Sequence, residues 1–304
     1  TTPWQWNAAT DVSSLCQQAQ TAEDMGFHSF WLPENHFRGR SGIPAPLMLL
    51  AAVAACTSTI RLGCVSYLLP IRNPLLAAEE VAVLDQLSDG RLILGLGRGT
   101  ESSLFRAFAV DSADKRVLFG HHLDIMRRAW QGEPVLPGED GKGMVLSPLP
   151  LQRPCPPLWV AAFGPKALRQ VAELGLPYLA SPLESLNRLQ ENYGIYHRCM
   201  QQAGLPAVDT IPIMRTVFAS EDRGQLAQLR AALATQVPAK MLRPGEQVDD
   251  WAIIGTAKEV GDRIGELQQS LGMTHLILRG GLPGVEPDAQ LDSHARVVEL
   301  ARQL

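Results

Sequence analysis

The sequence has few of the features that mark nucleic-acid-binding or membrane proteins. Lys and Arg number 27 against 31 Asp and Glu, a formal net charge of −4. It contains no basic run of the kind that polyanion-binding proteins carry. Apolar runs such as 47–55 are well short of the roughly 20 residues that a bilayer span requires. We therefore expect neither a nucleic-acid partner nor a membrane segment.

The sequence is also poor in paired cysteines. Its five cysteines are odd in number and widely spaced, and none forms a Cys-x-x-Cys pair. This pattern favours reduced thiols in a cytoplasmic protein over a disulfide or zinc framework. The start, Thr1-Thr2-Pro3-Trp4, lacks the basic segment and apolar middle of a signal peptide. We expect a cytoplasmic protein without a metal site.

The sequence does contain a regular alternation of short apolar and longer amphipathic segments. Apolar residues make up 46% of its 304 residues, enough for the large core of an α/β barrel, which typically needs about 250 residues. Strands are predicted at 30–32, 60–69, 92–94, 158–162, 178–180, 211–219 and 274–278. Helices are predicted at 11–25, 47–57, 73–88, 114–130, 166–174, 183–203, 222–236, 256–271 and 292–304. Such alternation predicts a parallel sheet covered on both faces.

The predicted fold is a single (β/α)₈ TIM barrel over residues 1–304, since no linker or repeat divides the chain. Only seven strands are predicted, and the segment before the first helix, 1–10, is polar. We expect the numbered chain to begin just after the first barrel strand. A seven-stranded or open sheet is the alternative.

Segments suited to a ligand lie at or just beyond the carboxyl ends of four consecutive strands, at 34–37, 65–67, 95–101 and 163–166. In parallel barrels the reactive groups gather at these carboxyl ends. Histidine side chains in general titrate near 6.5 when unperturbed, which suits His36 to general acid or base work, although a hydrogen-bonded structural histidine is the alternative.

The glycine-rich turn Gly95-Leu96-Gly97-Arg98-Gly99 allows three interpretations. As a dinucleotide-binding turn it has the wrong glycine spacing, and no helix is predicted directly after it. As a cofactor turn, its glycines would let a flat ring lie against the backbone while Arg98 binds a phosphate. As a structural turn it would carry a solvated arginine.

A second candidate anion site begins the predicted helix at 166. Gly164, Pro165, Lys166 and Ala167 form a helix start, where free N–H groups and the helix dipole attract anions. A helix start without a ligand is equally compatible with these residues.

Several of these segments together resemble the bacterial-luciferase-like flavin monooxygenases over nearly the whole chain. The matching segments include 22–27 (Ala-Glu-Asp-Met-Gly-Phe), 30–34 (Phe-Trp-Leu-Pro-Glu) and 254–256 (Ile-Gly-Thr). The most specific is 73–92, which contains Leu-Asp-Gln-Leu-Ser-Asp-Gly-Arg and runs into the glycine turn at 95–99.

The resemblance implies a barrel that binds FMN at the carboxyl ends of its strands. Relatives take reduced flavin from a separate NAD(P)H-dependent reductase and use O₂ to oxidise aldehydes, ketones, sulfonates or heterocycles. By position, Arg98 in the Gly97 turn corresponds to the arginine that meets the flavin phosphate, and 164–167 to the other phosphate-contacting turn. Val65 and Ser66 fall where relatives carry a non-proline cis peptide under the flavin ring. Relatives often form homodimers through their second and third helices.

Two departures from the family pattern bear on catalysis. Asn35 replaces the first of two adjacent histidines, so acid or base work would pass to His36. Phe163 and Gly164 replace carboxylate and hydroxyl side chains of the phosphate turn, where Lys166 could compensate by charge. The alternatives are an oxidoreductase using the deazaflavin coenzyme F420 and a non-catalytic flavin-binding protein.

Overall fold

A computed structural model describes residues 1–6, 12–136, 143–237 and 241–303. These residues contain eight β-strands. In chain order they are β1 (Ser29–Leu32), β2 (Arg61–Leu68), β3 (Leu92–Gly97), β4 (Leu158–Ala161), β5 (Tyr178–Leu179), β6 (Pro212–Ala219), β7 (Ala252–Gly255) and β8 (His275–Leu278).

Helices separate most of the strands. They are α1 (Val12–Asp24), α2 (Pro46–Cys56), α3 (Pro74–Leu87), α4 (Ser102–Ala107), α5 (Lys115–Trp130), α6 (Pro165–Glu173), α7 (Leu186–Gln202), α8 (Arg223–Gln236), α9 (Val248–Trp251), α10 (Ala257–Leu271) and α11 (Pro287–Ala301). Short 3₁₀ turns lie at Gly39–Ser41 and Leu69–Ile71.

The contacts group the chain into two compact units. The N-terminal unit holds the described residues of Asn7–Gln20 and His28–Leu158, and the C-terminal unit holds those of Thr1–Trp6, Thr21–Phe27 and Trp159–Leu304. The single domain expected from the sequence stays a prediction.

The N-terminal unit is built on a parallel sheet of β1, β2 and β3. Trp31 of β1 lies opposite Gly63 of β2, and Leu62 lies opposite Leu92 of β3. A Cβ atom at residue 63 would lie 2.0 Å from the Trp31 ring, so only glycine fits beneath this fully buried indole.

The most specific family segment has a structural role in this unit. Asn73 caps α3 by accepting the N–H groups of Leu75 and Leu76, and Pro74 occupies the first helical position. The Arg91 guanidinium donates to the backbone carbonyls of Ala54, Thr57, Ile60 and Ser88.

In the C-terminal unit, β4 pairs with β5, and β6 pairs with both β7 and β8, all in parallel. A bridge between Ala180 and Ile213 links the end of β5 to β6. A capping box of Thr256 and Glu259 begins α10, and Gly272 ends it in the left-handed conformation.

The structure corrects three sequence-based expectations. The count of seven strands is wrong, because β7 at Ala252–Gly255 was missed. A short helix, α4, follows the glycine turn two residues after Thr100, where no helix was predicted. The last helix begins at Pro287 rather than at residue 292. Residues 1–6 contain no strand, although the Thr2 N–H donates to the Leu278 carbonyl at 2.9 Å.

None of the helices in the described part of the chain is both long and apolar enough to cross a bilayer. None of the five cysteines forms a disulfide.

Candidate functional site

The buried carboxylate of Glu34 lies at the centre of the site in the N-terminal unit. Its Oε1 accepts hydrogen bonds from Nε2 of His36 at 2.7 Å and from Nη1 of Arg72 at 2.8 Å. Its Oε2 accepts the backbone N–H of Leu68 at 2.9 Å. Because Glu34 follows β1 and Leu68 ends β2, this carboxylate links the ends of the two strands by a hydrogen bond.

Arg72 is held on its other side by Tyr67. The guanidinium lies 3.8 Å from the centre of the Tyr67 ring, and Nη1 also donates to the Leu68 carbonyl at 2.8 Å. The Tyr67 hydroxyl donates to Oε2 of Glu80 at 2.9 Å. Burial opposes the charge of Arg72, yet the carboxylate of Glu34 raises the pKa of Arg72 above its ordinary value. Arg72 is therefore a firmly charged partner.

The geometry also assigns the proton on His36. A carboxylate only accepts hydrogen bonds, so Nε2 of His36 donates to Glu34. Nδ1 carries a lone pair whenever the ring is neutral. The ring lies edge-on to Phe108, with centroids 5.0 Å apart at 73°. Neighbouring Phe37 is 76% exposed and has a left-handed backbone, φ 56°. His36 thus has a fixed orientation and one nitrogen suited to accept a proton.

Asn35, the other predicted catalytic residue, is engaged with the backbone. Its Oδ1 accepts the Ile43 N–H at 2.8 Å, and the two residues form an antiparallel bridge. These bonds close the loop between β1 and α2, so the carboxamide supports the loop beside His36.

The Val65–Ser66 peptide is cis, as the family resemblance implies. Both residues are partly exposed, and the pairing of β2 with β3 shifts register between Cys64 and Tyr67. A Cβ atom at Gly97 would lie 2.1 Å from Oγ of Ser66. The glycine therefore permits the close approach of the two strands at this point.

Arg98 follows Gly97 directly and is only 9% exposed. Its guanidinium lies 5.2 Å from the centre of the Phe119 ring. Burial, and after it the positive charge of Arg116 on α5, lower the pKa of Arg98 to about 10. A buried arginine with a second arginine nearby is a suitable environment for an anionic ligand.

The second predicted anion site lies in the C-terminal unit. Gly164 is the N-cap of α6 with φ 83°, Pro165 is at the first helical position, and Lys166 is exposed. Ala167 is buried, and its N–H donates to the Gly164 carbonyl at 3.1 Å. The guanidinium of Arg188 lies 4.6 Å from the Phe163 ring centre.

Three residues of the site were not predicted as site residues, namely Glu34, Arg72 and Arg116. Glu34 lies within the segment expected to be functional, but its partner Arg72 is 38 positions away and Arg116 is 18 positions from Arg98. No local pattern joins residues so far apart. No group of three or more His, Cys, Asp or Glu side chains positioned to hold a metal ion occurs among the described residues.

Comparison with known proteins identifies the family. The model of the luciferase-like monooxygenases matches residues 2–275. The chain therefore belongs to the luciferase-like monooxygenase family.

Similar curated proteins share about 30% identity with this chain. An uncharacterised protein of Sinorhizobium fredii is 30% identical, with 72% of this chain and 64% of the relative aligned. The alkanal monooxygenase alpha chain of the Kryptophanaron alfredi symbiont is 28% identical over 64% of this chain and 55% of the relative. The oxygenase component of flavin-dependent trigonelline monooxygenase from Acinetobacter baylyi is 29% identical over 57% and 48%. The matches thus span about half to two thirds of the relatives' length.

Solved structures cover nearly the whole chain. The monooxygenase RslO1 of Streptomyces bottropensis has a TM-score of 0.78 at 26% identity, covering 97% of this chain and 93% of its own. The oxygenating constituent of 3,6-diketocamphane monooxygenase from Pseudomonas putida, in complex with FMN, has a TM-score of 0.78 at 20% identity, covering 99% and 96%. The F420-dependent tetrahydromethanopterin reductase of Methanopyrus kandleri has a TM-score of 0.74 at 18% identity, covering 100% and 96%. The fold class is the luciferase-like one, of the TIM-barrel type.

Proposed function

We propose that this protein is an FMN-dependent monooxygenase that receives reduced flavin from a separate reductase and uses O₂ to oxidise a small organic substrate. The observation that carries the proposal is the arrangement around Gly97. The side chain of Ser66 lies against this glycine, and the buried Arg98 comes next in the chain.

These residues fit FMN on chemical grounds. Burial and the charge of Arg116 both disfavour the positive charge of Arg98, and a phosphate dianion would offset both effects. Arg98 and Arg116 would therefore hold the phosphate, while Val65, Ser66 and Gly97 would support the flat ring. Reduced FMN, when bound, supplies the electrons for the reaction with O₂.

The relatives support the same reaction class. The trigonelline relative is named a flavin-dependent oxygenase component, which supports a separate partner that supplies reduced flavin. The diketocamphane structure, of the same fold, contains FMN.

His36 is the residue that we propose for proton transfer to or from the substrate. Its Nε2 is held by Glu34, and its Nδ1 has the lone pair that a base requires. The Asn35 carboxamide, already bonded to the Ile43 N–H, would act by keeping the loop of His36 in place. A phosphate contact remains a prediction for the helix start formed by Gly164, Pro165, Lys166 and Ala167.

A second copy of the chain is the partner that we propose for the groove between α2 and α3. The groove has a volume of about 560 Å³ and is lined mainly by apolar side chains of both helices, with Arg72, Glu79 and Glu80 also in its lining. Among them, Met48 is 76% exposed, Leu76 55% and Leu87 60%. An exposed apolar surface of this kind is typical of an interface. We also propose a cytoplasmic location, because none of the five cysteines forms a disulfide.

The proposal is tested by two measurements on the purified protein. Titration with reduced FMN, oxidised FMN and F420 measures cofactor preference, and an oxygen electrode measures O₂ consumption with reduced FMN and a panel of aldehydes, ketones, sulfonates and heterocycles. We expect binding of reduced FMN and substrate-dependent O₂ consumption that is lost in His36→Ala while FMN binding is kept. Preferential binding of F420 would overturn the proposal in favour of an F420-dependent oxidoreductase. Flavin binding without turnover of any substrate would favour a flavin-binding protein.

A further inference from the structure

Glu34 contacts Arg72 and Leu68 as well as His36. The same oxygen, Oε1, accepts both the His36 ring and the Arg72 guanidinium, at 2.7 Å and 2.8 Å. One carboxylate oxygen thus joins a fixed cation to an imidazole that can gain or lose a proton. The bonds between Asn35 and Ile43 already close the loop between β1 and α2. The contacts of Glu34 with His36 and Arg72 are therefore not needed to close that loop.

We propose that Arg72 is a positioning residue that acts through the Glu34 carboxylate to set the orientation and proton affinity of His36. This inference rests on the proposed function of His36 and extends it. Arg72 bonds to Glu34, and Glu34 bonds to the proton-transferring ring of His36. The role of Arg72 is therefore indirect.

The first part of the argument concerns position. Arg72 donates to the Leu68 carbonyl, and the Leu68 N–H donates to Glu34. A single residue at the end of β2, Leu68, therefore fixes both the cation and the carboxylate. Since Leu68 follows Val65 and Ser66 on the same strand, these bonds also fix His36 relative to the cis peptide proposed to support the flavin ring.

The second part concerns charge. Glu34 alone would strongly favour the protonated imidazole, because an adjacent carboxylate stabilises a positive charge. Arg72 shares that carboxylate and opposes a second positive charge beside it. Interaction energies at such distances remain substantial in a partly buried site. The balance between Glu34 and Arg72 therefore determines at which pH His36 is a free base.

Arg72 is held in turn by neighbours that keep it from swinging away. Its guanidinium lies over the Tyr67 ring, and the Tyr67 hydroxyl is bonded to Glu80 on α3. The pKa of Tyr67 is raised mainly by burial, so its hydroxyl stays neutral and donates.

Other charged or titratable groups face this cluster. Burial, and then the charge of Glu34, raise the pKa of the Cys64 thiol well above its ordinary value, so Cys64 stays neutral. Arg38 follows His36 in the loop and forms an ion pair with Glu101, and both side chains are more than half exposed. Solvent screens that pair, which makes Arg38 a suitable control for loss of a nearby positive charge.

The test is an NMR titration of the free protein labelled in its histidine rings, with the His36 signal assigned by its absence in His36→Asn. In Arg72→Gln we expect the midpoint of the His36 titration to rise by about one pH unit, because the cation that opposes protonation is gone. Arg72→Lys retains the charge and should restore the midpoint to within a few tenths of a unit. The control Arg38→Gln should shift it by less than about 0.3 units.

Turnover gives a second readout. The acid limb of the kcat profile should move in Arg72→Gln in the same direction as the NMR midpoint, with little change in KM for the substrate. An unchanged His36 midpoint in folded Arg72→Gln would overturn the proposal. Because the NMR titration needs no substrate, this result would leave the proposed oxygenase function intact. Full activity of His36→Ala would instead refute the proton-transfer role of His36, and preferential binding of F420 would refute the oxygenase function.

Arg72→Gln leaves the buried Glu34 without its cation and can impair folding. The pair Glu34→Gln and Glu34→Gln/Arg72→Gln then provides the test, since neither leaves an unpaired carboxylate. We expect the His36 midpoint to fall in the single variant and to be higher in the double variant. Equal midpoints in the two would overturn the proposal.

Discussion

Ser66 fills the space that a side chain at residue 97 would need. A Cβ atom built on Gly97 would lie 2.1 Å from Oγ and 2.9 Å from Cβ of Ser66. Rotation of the hydroxyl would relieve only the first of these contacts, because the second involves an atom fixed by the backbone. Ser66 and the glycine turn are therefore matched to each other in shape.

For this reason we expect Gly97→Ala to weaken FMN binding by at least tenfold, since the added methyl group must push Ser66 out of place. Fluorescence titration with FMN measures the change. Gly261→Ala on α10 is the control, because its Cβ would meet only Leu300 at 3.4 Å or more. Full FMN affinity in Gly97→Ala would show that the Ser66 segment does not support the flavin.

Arg98→Ala should weaken FMN binding by about 1.5–3 kcal/mol, the range for hydrogen bonds to charged groups. Arg116→Ala should also weaken it, and the affinity of both variants should depend less on salt, because each loses a positive charge beside the phosphate. Arg128→Ala is the control on α5, since that side chain is exposed and bonded to Glu133. Isothermal titration calorimetry at two salt concentrations is the measurement. Unchanged affinity in Arg98→Ala would refute the phosphate assignment.

The fold was largely predictable from the sequence because its signals are local. The segment 73–92 contains a cap at Asn73, a proline at the first helical position and a turn at Asp89–Gly90, and each has the predicted role. Asp85 and Arg91 of the same segment bind loops through buried polar contacts. Asp85 accepts the backbone N–H and the side-chain amide of Gln152, at 2.8 Å and 2.7 Å. The strand β7 was missed because it follows α9 directly and only Thr256 separates it from α10, so no turn residues mark its ends.

Arg91→Met should therefore lower the free energy of unfolding by about 3 kcal/mol or more, because several carbonyl groups lose a charged donor. Urea denaturation followed by circular dichroism measures this loss. Arg40→Met, in the exposed 3₁₀ turn after β1, should change stability by less than about 0.5 kcal/mol. A loss as small as that of the control would mean that the Arg91 bonds are replaced by water at little cost.

The candidate site was only partly predictable, because its electrostatics depend on pairs distant in sequence. Local patterns pointed to His36, Val65, Ser66 and Arg98. They could not show that Glu34 is shared between His36 and Arg72, since that depends on how the ends of β1 and β2 come together. For Asn35, the sequence indicated a lost histidine, while the structure adds the bond to Ile43.

The apolar groove between α2 and α3 leads to a prediction about assembly. If a second copy covers it, Leu87→Glu should shift the protein toward monomer, because a charge would be buried in an apolar interface. Sedimentation equilibrium at several protein concentrations measures the shift. Val117→Glu is the control, since Val117 is 73% exposed but does not line the groove. Equal dimer dissociation constants in the two variants would show that the interface lies outside this groove. A monomeric parent protein would refute the homodimer.

His294 on α11 should make the stability of the protein depend on pH. It is fully buried between the rings of Trp4 and Phe27, and within the described residues neither ring nitrogen has a hydrogen-bond partner. Burial lowers the pKa of His294 to about 3, whereas an unfolded histidine titrates near 6.5.

Below pH 6.5 the unfolded chain therefore binds a proton that the folded chain does not. The stability from neutral His294 is fully present above pH 6.5 and is lost as the pH falls toward 3, with a loss of about 2 kcal/mol at pH 5. His294→Leu should remove this part of the slope between pH 7 and 5 in urea denaturation, because leucine carries no titrating group. His121→Leu, on the exposed side of α5, should keep the slope of the parent protein. If His294→Leu kept the pH slope of the parent protein, other groups would cause the loss of stability in acid. His294 would then have to be protonated in the folded state as well.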